Sequence, residues 1–230
     1  MNLSVNELQN RLASSVDQSS TAPTTAGADW NLRLKYFNMA QSEWAELYDW
    51  QALYKEYNTL TSTNTANCSI SLPTDFRKWA GYPKITYDSI STKEFAEIRP
   101  QEKERYSSSD RYVYLMGNPN ANYTMFVHPG TTTGYLTSGA SIFLSYYASA
   151  VSLVSPADVS MCPNPDYLVT RAKAYLWEAR EDGRSNQARA EADKILQRML
   201  EFENVHSEAS TNDRVKTVEE TRYSFRIGRN

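Results

Sequence analysis

Metal-dependent chemistry needs imidazole, thiolate and carboxylate ligands at close spacing, and this chain carries few of them. Its histidines, His128 and His206, and its cysteines, Cys68 and Cys162, lie far apart, at no spacing that closes a metal site. After His128-Pro129-Gly130, the stretch Thr131-Thr132-Thr133-Gly134 has the small residues of a phosphate loop. The Gly-Lys-Ser/Thr that would grip a phosphate does not follow, and a hairpin turn accounts for the composition better. No serine stands in a Gly-x-Ser-x-Gly elbow. Two carboxylates alone suffice for glycoside hydrolysis. Glu178, Glu181 and Asp182, however, fall at the solvent end of a helical pattern, and Glu94, Glu97, Glu102 and Glu104 are interleaved with Lys93, Lys103 and Arg105. Both groups read as solvated faces. The expectation is a protein that is not an enzyme and takes no cofactor and no metal.

What the chain has instead is surface for contact. Sixteen Tyr and five Trp supply much of the apolar area of a 230-residue chain whose mean hydropathy is only -0.62. Tyr and Trp suit positions where one end of the ring is buried and the other wet, as between proteins. A net charge of -3 and a pI near 5.5 argue against a dedicated nucleic-acid binder. No apolar run is long enough to span a membrane, so no membrane partner is expected. The start, MNLSVNELQNRLASS, lacks the basic and apolar regions of a signal peptide. Synthesis in a reducing cytoplasm, with Cys68 and Cys162 free, is the corresponding expectation.

The elements that carry these residues can be placed from periodicity. Leu3, Leu8 and Leu12 predict a short amphipathic helix starting near Ser4 or Asn6 and ordered only when docked on a neighbour or another virion protein. A Ser/Thr/Ala linker with Pro23 and Gly27 follows. Asp29 is placed to cap a long helix from about Trp30 to Tyr57, with Leu34, Phe37, Ala40, Trp44, Leu47 and Tyr48 as one stripe and Trp50, Leu53, Tyr54 and Tyr57 as its extension. A helix apolar on more than one side needs more than one cover, and a neighbouring subunit can supply the second. Strands are predicted at 69–72, 77–87, 112–116, 121–127 and 140–147, with a charged helix over 92–106 broken at Pro100. Residues 164–204 read as two antiparallel helices, entered through Pro163 and Pro165 with Asp166 as cap, and turned at Glu181-Asp182-Gly183. Leu176, Ile195 and Met199 are expected to bury against the long helix near Trp44 and Leu47. The fold class is thus α+β and mainly helical: a long helix plus C-terminal hairpin forming a bundle, with a small antiparallel β-region inserted and extended terminal arms. The boundaries are 1–28 for the N-terminal helix and linker, 29–206 for the bundle with its insert at about 68–150, and 207–230 for the C-terminal arm.

This layout resembles the head-to-tail connector, or adaptor, proteins of tailed bacteriophages. The aromatic helix Trp30–Tyr57, the strand end Leu72-Pro73-Thr74-Asp75-Phe76, the segment Pro165-Asp166-Tyr167-Leu168 and the Arg/Tyr/Phe tail carry the resemblance. It implies a structural virion protein at the head–tail interface, made in the host cytoplasm. It also implies a homo-oligomeric ring, commonly of twelve copies, that joins the portal protein to tail or stopper proteins. Genomic DNA would pass through without specific binding. In such rings the C-terminal arm often docks on the portal, which marks Arg222, Tyr223, Phe225, Arg226 and Ile227 as partner-interface residues. Trp44, Tyr48, Trp50 and Tyr54 are the corresponding candidates for subunit packing. The competing reading is a carbohydrate- or receptor-binding module of a virion or cell surface, with Tyr82, Tyr87, Tyr112, Tyr114 and Tyr123 as stacking platforms.

Overall fold

The computed structural model describes residues 2–19, 21–61, 69–86, 92–106, 111–117, 122–128 and 141–204, and the statements below concern these residues. The chain forms two compact units. One joins Met1–Gln51 to Ser152–Asn230, and the other is Ala52–Val151.

The first unit is helical: α1 (Val5–Val16), α2 (Ala28–Leu47), α3 (Pro165–Ala179) and α4 (185–204). Ser4 caps α1 with a reciprocal box. Its hydroxyl accepts from the Glu7 amide at 3.3 Å, and the Glu7 carboxylate accepts from the Ser4 amide at 2.8 Å. Val5, Leu8 and Leu12 are fully buried, and the amide of Gln9 donates to the Trp30 carbonyl at 3.1 Å. The segment following Ser152 holds the start of α1 by backbone bonds, Val5 N to Asp158 O and Ser160 N to Leu3 O. It is tied to α2 through Asn38, which both donates to and accepts from Leu153, and through Gln41, which accepts from the Met161 amide. Ser4→Ala is expected to cost about 1 kcal/mol by removing the cap. A thermal midpoint lower by about 3 °C, followed by circular dichroism, would check it.

The second unit is built from strands. β1 (Tyr54–Thr61), β9 (Ser141–Ala148), β4 (Lys84–Thr86) and β5 (Thr92–Glu94) lie in that order in one sheet, and β3 (Phe76–Trp79) also pairs with β9. β2 (Ser69–Ser71), β8 (Tyr123–His128), β7 (Tyr112–Gly117) and β6 (Ala96–Glu97) form the other. All pairings among the described residues are antiparallel except β6–β7, which is parallel. One apolar core serves both sheets: Val113, Met125 and Val127 from the second meet Ile85, Ile142 and Leu144 from the first. Alternation along β9, with Ile142, Leu144 and Tyr146 buried and Phe143 exposed, is the period-two signature of a sheet with one wet face. Gly117 ends β7 at φ +118°, where a Cβ would stand 2.3 Å from the Asn122 carbonyl oxygen, so only glycine fits.

Several expectations are corrected by this structure. The fold is not a helical bundle with a small β insert. Among the described residues, nine strands in two sheets form a compact unit with its own core, distinct from the helical unit. The long helix stops at Leu47 instead of Tyr57. Tyr48 turns extended at φ -149°, the Trp50 indole donates to the Trp44 carbonyl at 2.6 Å, and Tyr54 begins a strand paired with Tyr147. Pairing with β9 overrides the helical spacing of Tyr54 and Tyr57, whose ring type suits a pleated surface equally well. The charged helix over 92–106 is two short strands followed by a 3-10 turn that begins at Pro100. Gly27, not Asp29, occupies the N-cap of α2, and Asn164, not Asp166, caps α3. The N-terminal helix docks on its own chain instead of waiting for a neighbour. Leu176 is buried as expected, but Ile195 and Met199 are only half-buried and Leu47 is 53% exposed.

Candidate functional site

Among the described residues no group of three His, Cys, Asp or Glu could hold a metal ion. No described helix is long and apolar enough to cross a membrane. Cys162 is buried, and burial pushes its thiol up to about 12, which leaves it a weak nucleophile at neutral pH.

The interior of the helical unit is held by a clamp. Glu43 on α2 accepts from the Arg171 Nε at 2.8 Å and from the Tyr175 hydroxyl at 2.6 Å, and its second oxygen takes a further guanidinium N–H of Arg171. Arg171 reaches on to Asp193 at 3.3 Å, so one guanidinium ties α2, α3 and α4. Partial burial pushes the Glu43 carboxyl up, but the hydrogen bonds from Arg171 and Tyr175 outweigh it and hold Glu43 below its ordinary value of 4.5. Tyr36 packs on Tyr175 with ring centroids 5.9 Å apart. Trp177 on α3 lies between the Lys173 ammonium at 5.0 Å and the Arg184 guanidinium at 4.5 Å.

Beside this clamp the outer face of α2 forms an open groove of about 710 Å³. Leu34, Met39 and Tyr175 give it apolar lining, Lys35 stands toward its N-terminal end and Glu46 toward its C-terminal end. Met39 is 41% exposed. A second apolar surface lies at the end of α4. Ala188 and Ala192 are fully buried, but Ile195, Leu196, Met199 and Leu200 are half-buried, and Phe202 is 67% exposed. The Tyr48 hydroxyl donates to the Asn204 side-chain oxygen at 2.9 Å, which sets the end of α2 beside the end of α4.

The structure brings together three of the four residues singled out for subunit packing. Trp44 and Trp50 stack inside the chain at 5.3 Å, and Tyr48 meets Trp50 edge-on at 5.4 Å with part of its ring exposed. Tyr54 lies in the β unit, partly exposed and edge-on to Tyr147. Arg222, Tyr223, Phe225, Arg226 and Ile227 lie outside the described residues, as do Cys68, Tyr87 and His206. Of the strand tyrosines, Tyr112 and Tyr114 share the face of β7 that points away from the core, whereas Tyr123 packs on the core side and Tyr82 lies off the strands. Tyr112 stacks on His128 at 4.5 Å, Tyr114 on Phe126 at 5.0 Å, and Tyr123 packs on Phe76; Tyr82 alone of the described four is mostly exposed. Sequence reasoning anticipated a second apolar side on α2 but did not locate the groove. Met39, which lies off the buried stripe and is exposed, was the available signal.

A family model described as SU10 adaptor protein matches residues 3–216, nearly the whole chain. No curated protein matches it. The chain belongs to the SU10 adaptor protein family, in agreement with the resemblance its sequence shows to phage connector proteins. It is a structural adaptor protein of a bacteriophage, a family that implies a virion component without catalytic function.

Proposed function

We propose that this adaptor assembles as a closed ring, of twelve copies, that seats beneath the portal and joins it to the tail or stopper proteins at the head–tail interface. Membership of the adaptor family over residues 3–216 is the observation that carries this reading. It is supported by the open groove on α2, which leaves apolar side chains such as Met39 exposed on the helical unit. Tyr48 and Tyr54 offer partly exposed rings to neighbouring subunits, and Trp44 and Trp50 hold Tyr48 from behind. Genomic DNA passes through the ring without specific binding. A net charge of -3 suits that role, because 27 acidic side chains outweigh 24 basic ones and leave no excess of cations to draw a passing duplex.

The C-terminal arm attaches the ring to the portal. Arg222 and Arg226 supply charge-assisted bonds to acidic groups, and Tyr223, Phe225 and Ile227 supply apolar contacts between them. Deleting Arg222–Asn230 is expected to leave circular dichroism and ring formation unchanged and to abolish attachment to the portal, scored by electron microscopy of assembling particles. Normal particles from the truncated chain would overturn the arm's role.

A further inference from the structure

Residues 205–230 lie outside the described residues, and the described chain ends beside the α2 groove. The Tyr48 hydroxyl donates to the Asn204 side-chain oxygen at 2.9 Å, two residues past Glu46 at the C-terminal end of the groove. We propose that in the unassembled protein the segment Glu220–Ile227 lies along the α2 groove of its own copy, and that the portal competes with the groove for it. The proposal rests on the portal reading of the arm and adds where the arm sits beforehand. From Asn204 an extended chain reaches Arg222 over as much as about 60 Å, far more than the length of the groove. So tethered, the arm has an effective concentration at the groove of about 1 mM, and modest contacts hold it there. The arm of a neighbouring copy has no such advantage.

Pattern and charge select the segment. Lys35, Met39, Ser42 and Glu46 recur at steps of four, three and four, so they share one exposed face of α2, flanked by Leu34 and Tyr175. The two end charges stand about 16 Å apart along the helix. Neither takes part in an ion pair among the described residues. Within 205–230 the aromatic rings are Tyr223 and Phe225, which alternate with Arg222, Ser224 and Arg226 and are followed by Ile227. That period lays the apolar side of an extended segment on an apolar strip. Glu220 and Arg226 bracket the rings and lie about 20 Å apart when extended. Set parallel to α2, the segment brings Glu220 to Lys35 and Arg226 to Glu46, and the two spans differ by less than the length of one such side chain. The reverse direction would bring Arg226 toward Lys35. Once the portal holds the arm, the groove is free for a neighbouring copy.

Disulfide trapping tests the seat. With Cys68→Ser as background and Cys162 buried, Met39→Cys and Phe225→Cys leave one reactive pair in the chain. Met39 is exposed, so the fold should survive, as circular dichroism would verify. In dilute protein oxidised with copper–phenanthroline in air, this pair is expected to close within one chain at least about tenfold faster than Gln197→Cys with Phe225→Cys, whose first site is exposed on α4. Glu46→Arg should slow closure about threefold, and Glu46→Arg with Arg226→Glu should restore it. Purified portal protein of the same phage should slow closure to the control rate. As a second measurement, a maleimide should label Met39→Cys about fivefold faster once Arg222–Asn230 is deleted. Closure no faster than the control, or labelling unchanged by the deletion, would overturn the seat and leave the portal reading standing. Disulfides between chains would give the groove to another copy's arm and overturn the proposal. Closure that the portal does not slow would overturn the competition. Normal attachment of the truncated chain to the portal would overturn the portal reading and with it the competition, while fast closure would still support the seat.

Discussion

Trp44→Ala is expected to lower the stability of the helical unit by about 3–5 kcal/mol, the usual range for removing a buried aromatic ring. Trp44 is wholly buried, and its ring stacks on Trp50, itself packed by the edge of Tyr48. Truncation leaves a void that the two remaining rings, Trp50 and Tyr48, cannot close without moving the end of α2. The Trp50 indole would keep its bond, since the acceptor is the backbone carbonyl of residue 44, so the loss reports packing and not hydrogen bonding. In thermal denaturation followed by far-ultraviolet circular dichroism, the helical transition should fall by about 10 °C. A midpoint within about 2 °C of the unaltered protein would show that the stack is not a packing centre.

Arg171→Met is the second large effect, expected at about 2 kcal/mol. The change removes the cation that joins Glu43, Asp193 and Tyr175 while keeping the apolar stem. Breaking a fully buried ion pair costs about 3–5 kcal/mol because the surviving charge stays unpaired. Glu43 is 38% exposed on its side chain, so water compensates part of that. The pH profile separates this role from simple packing. Glu43 has a folded-state pKa below its ordinary 4.5, so its ionised form is favoured by folding. That stabilisation is fully present above about pH 4.5 and is lost as pH falls through the lower folded value. The Arg171→Met variant should therefore lose less stability than the unaltered protein on acidification from pH 5 toward pH 3. Parallel profiles would rule out the clamp as the source of the effect.

Ile195 shows how a half-right reading changes a prediction. Full burial against the long helix would make Ile195→Asp cost several kcal/mol. The side chain is half-buried on α4, so the same substitution is expected to cost less, about 1–2 kcal/mol, read as a lower thermal midpoint by circular dichroism.

The linear chain was enough to specify the helical hairpin at 164–204, the helix near the N-terminus and the strands at β2, β7, β8 and β9. Each is dictated by neighbours within a few residues: proline before α3, apolar steps of three and four, and alternation bounded by turns. The absence of catalytic spacing and the likeness to phage connectors were equally legible. The end of α2 was not. Trp44, Tyr48, Trp50 and Tyr54 keep helical spacing, and whether Tyr54 continues a helix or starts a strand depends on β9, almost a hundred residues away. The same holds for the size of the β unit, since strands of two to four residues acquire stability only from a shared core that no short window contains. The position of α1 is likewise set by Asp158 and Asp166, which are distant in sequence and adjacent in space. Local patterning chose most of the elements. Long-range pairing decided where α2 ends and that the strands form a unit of their own.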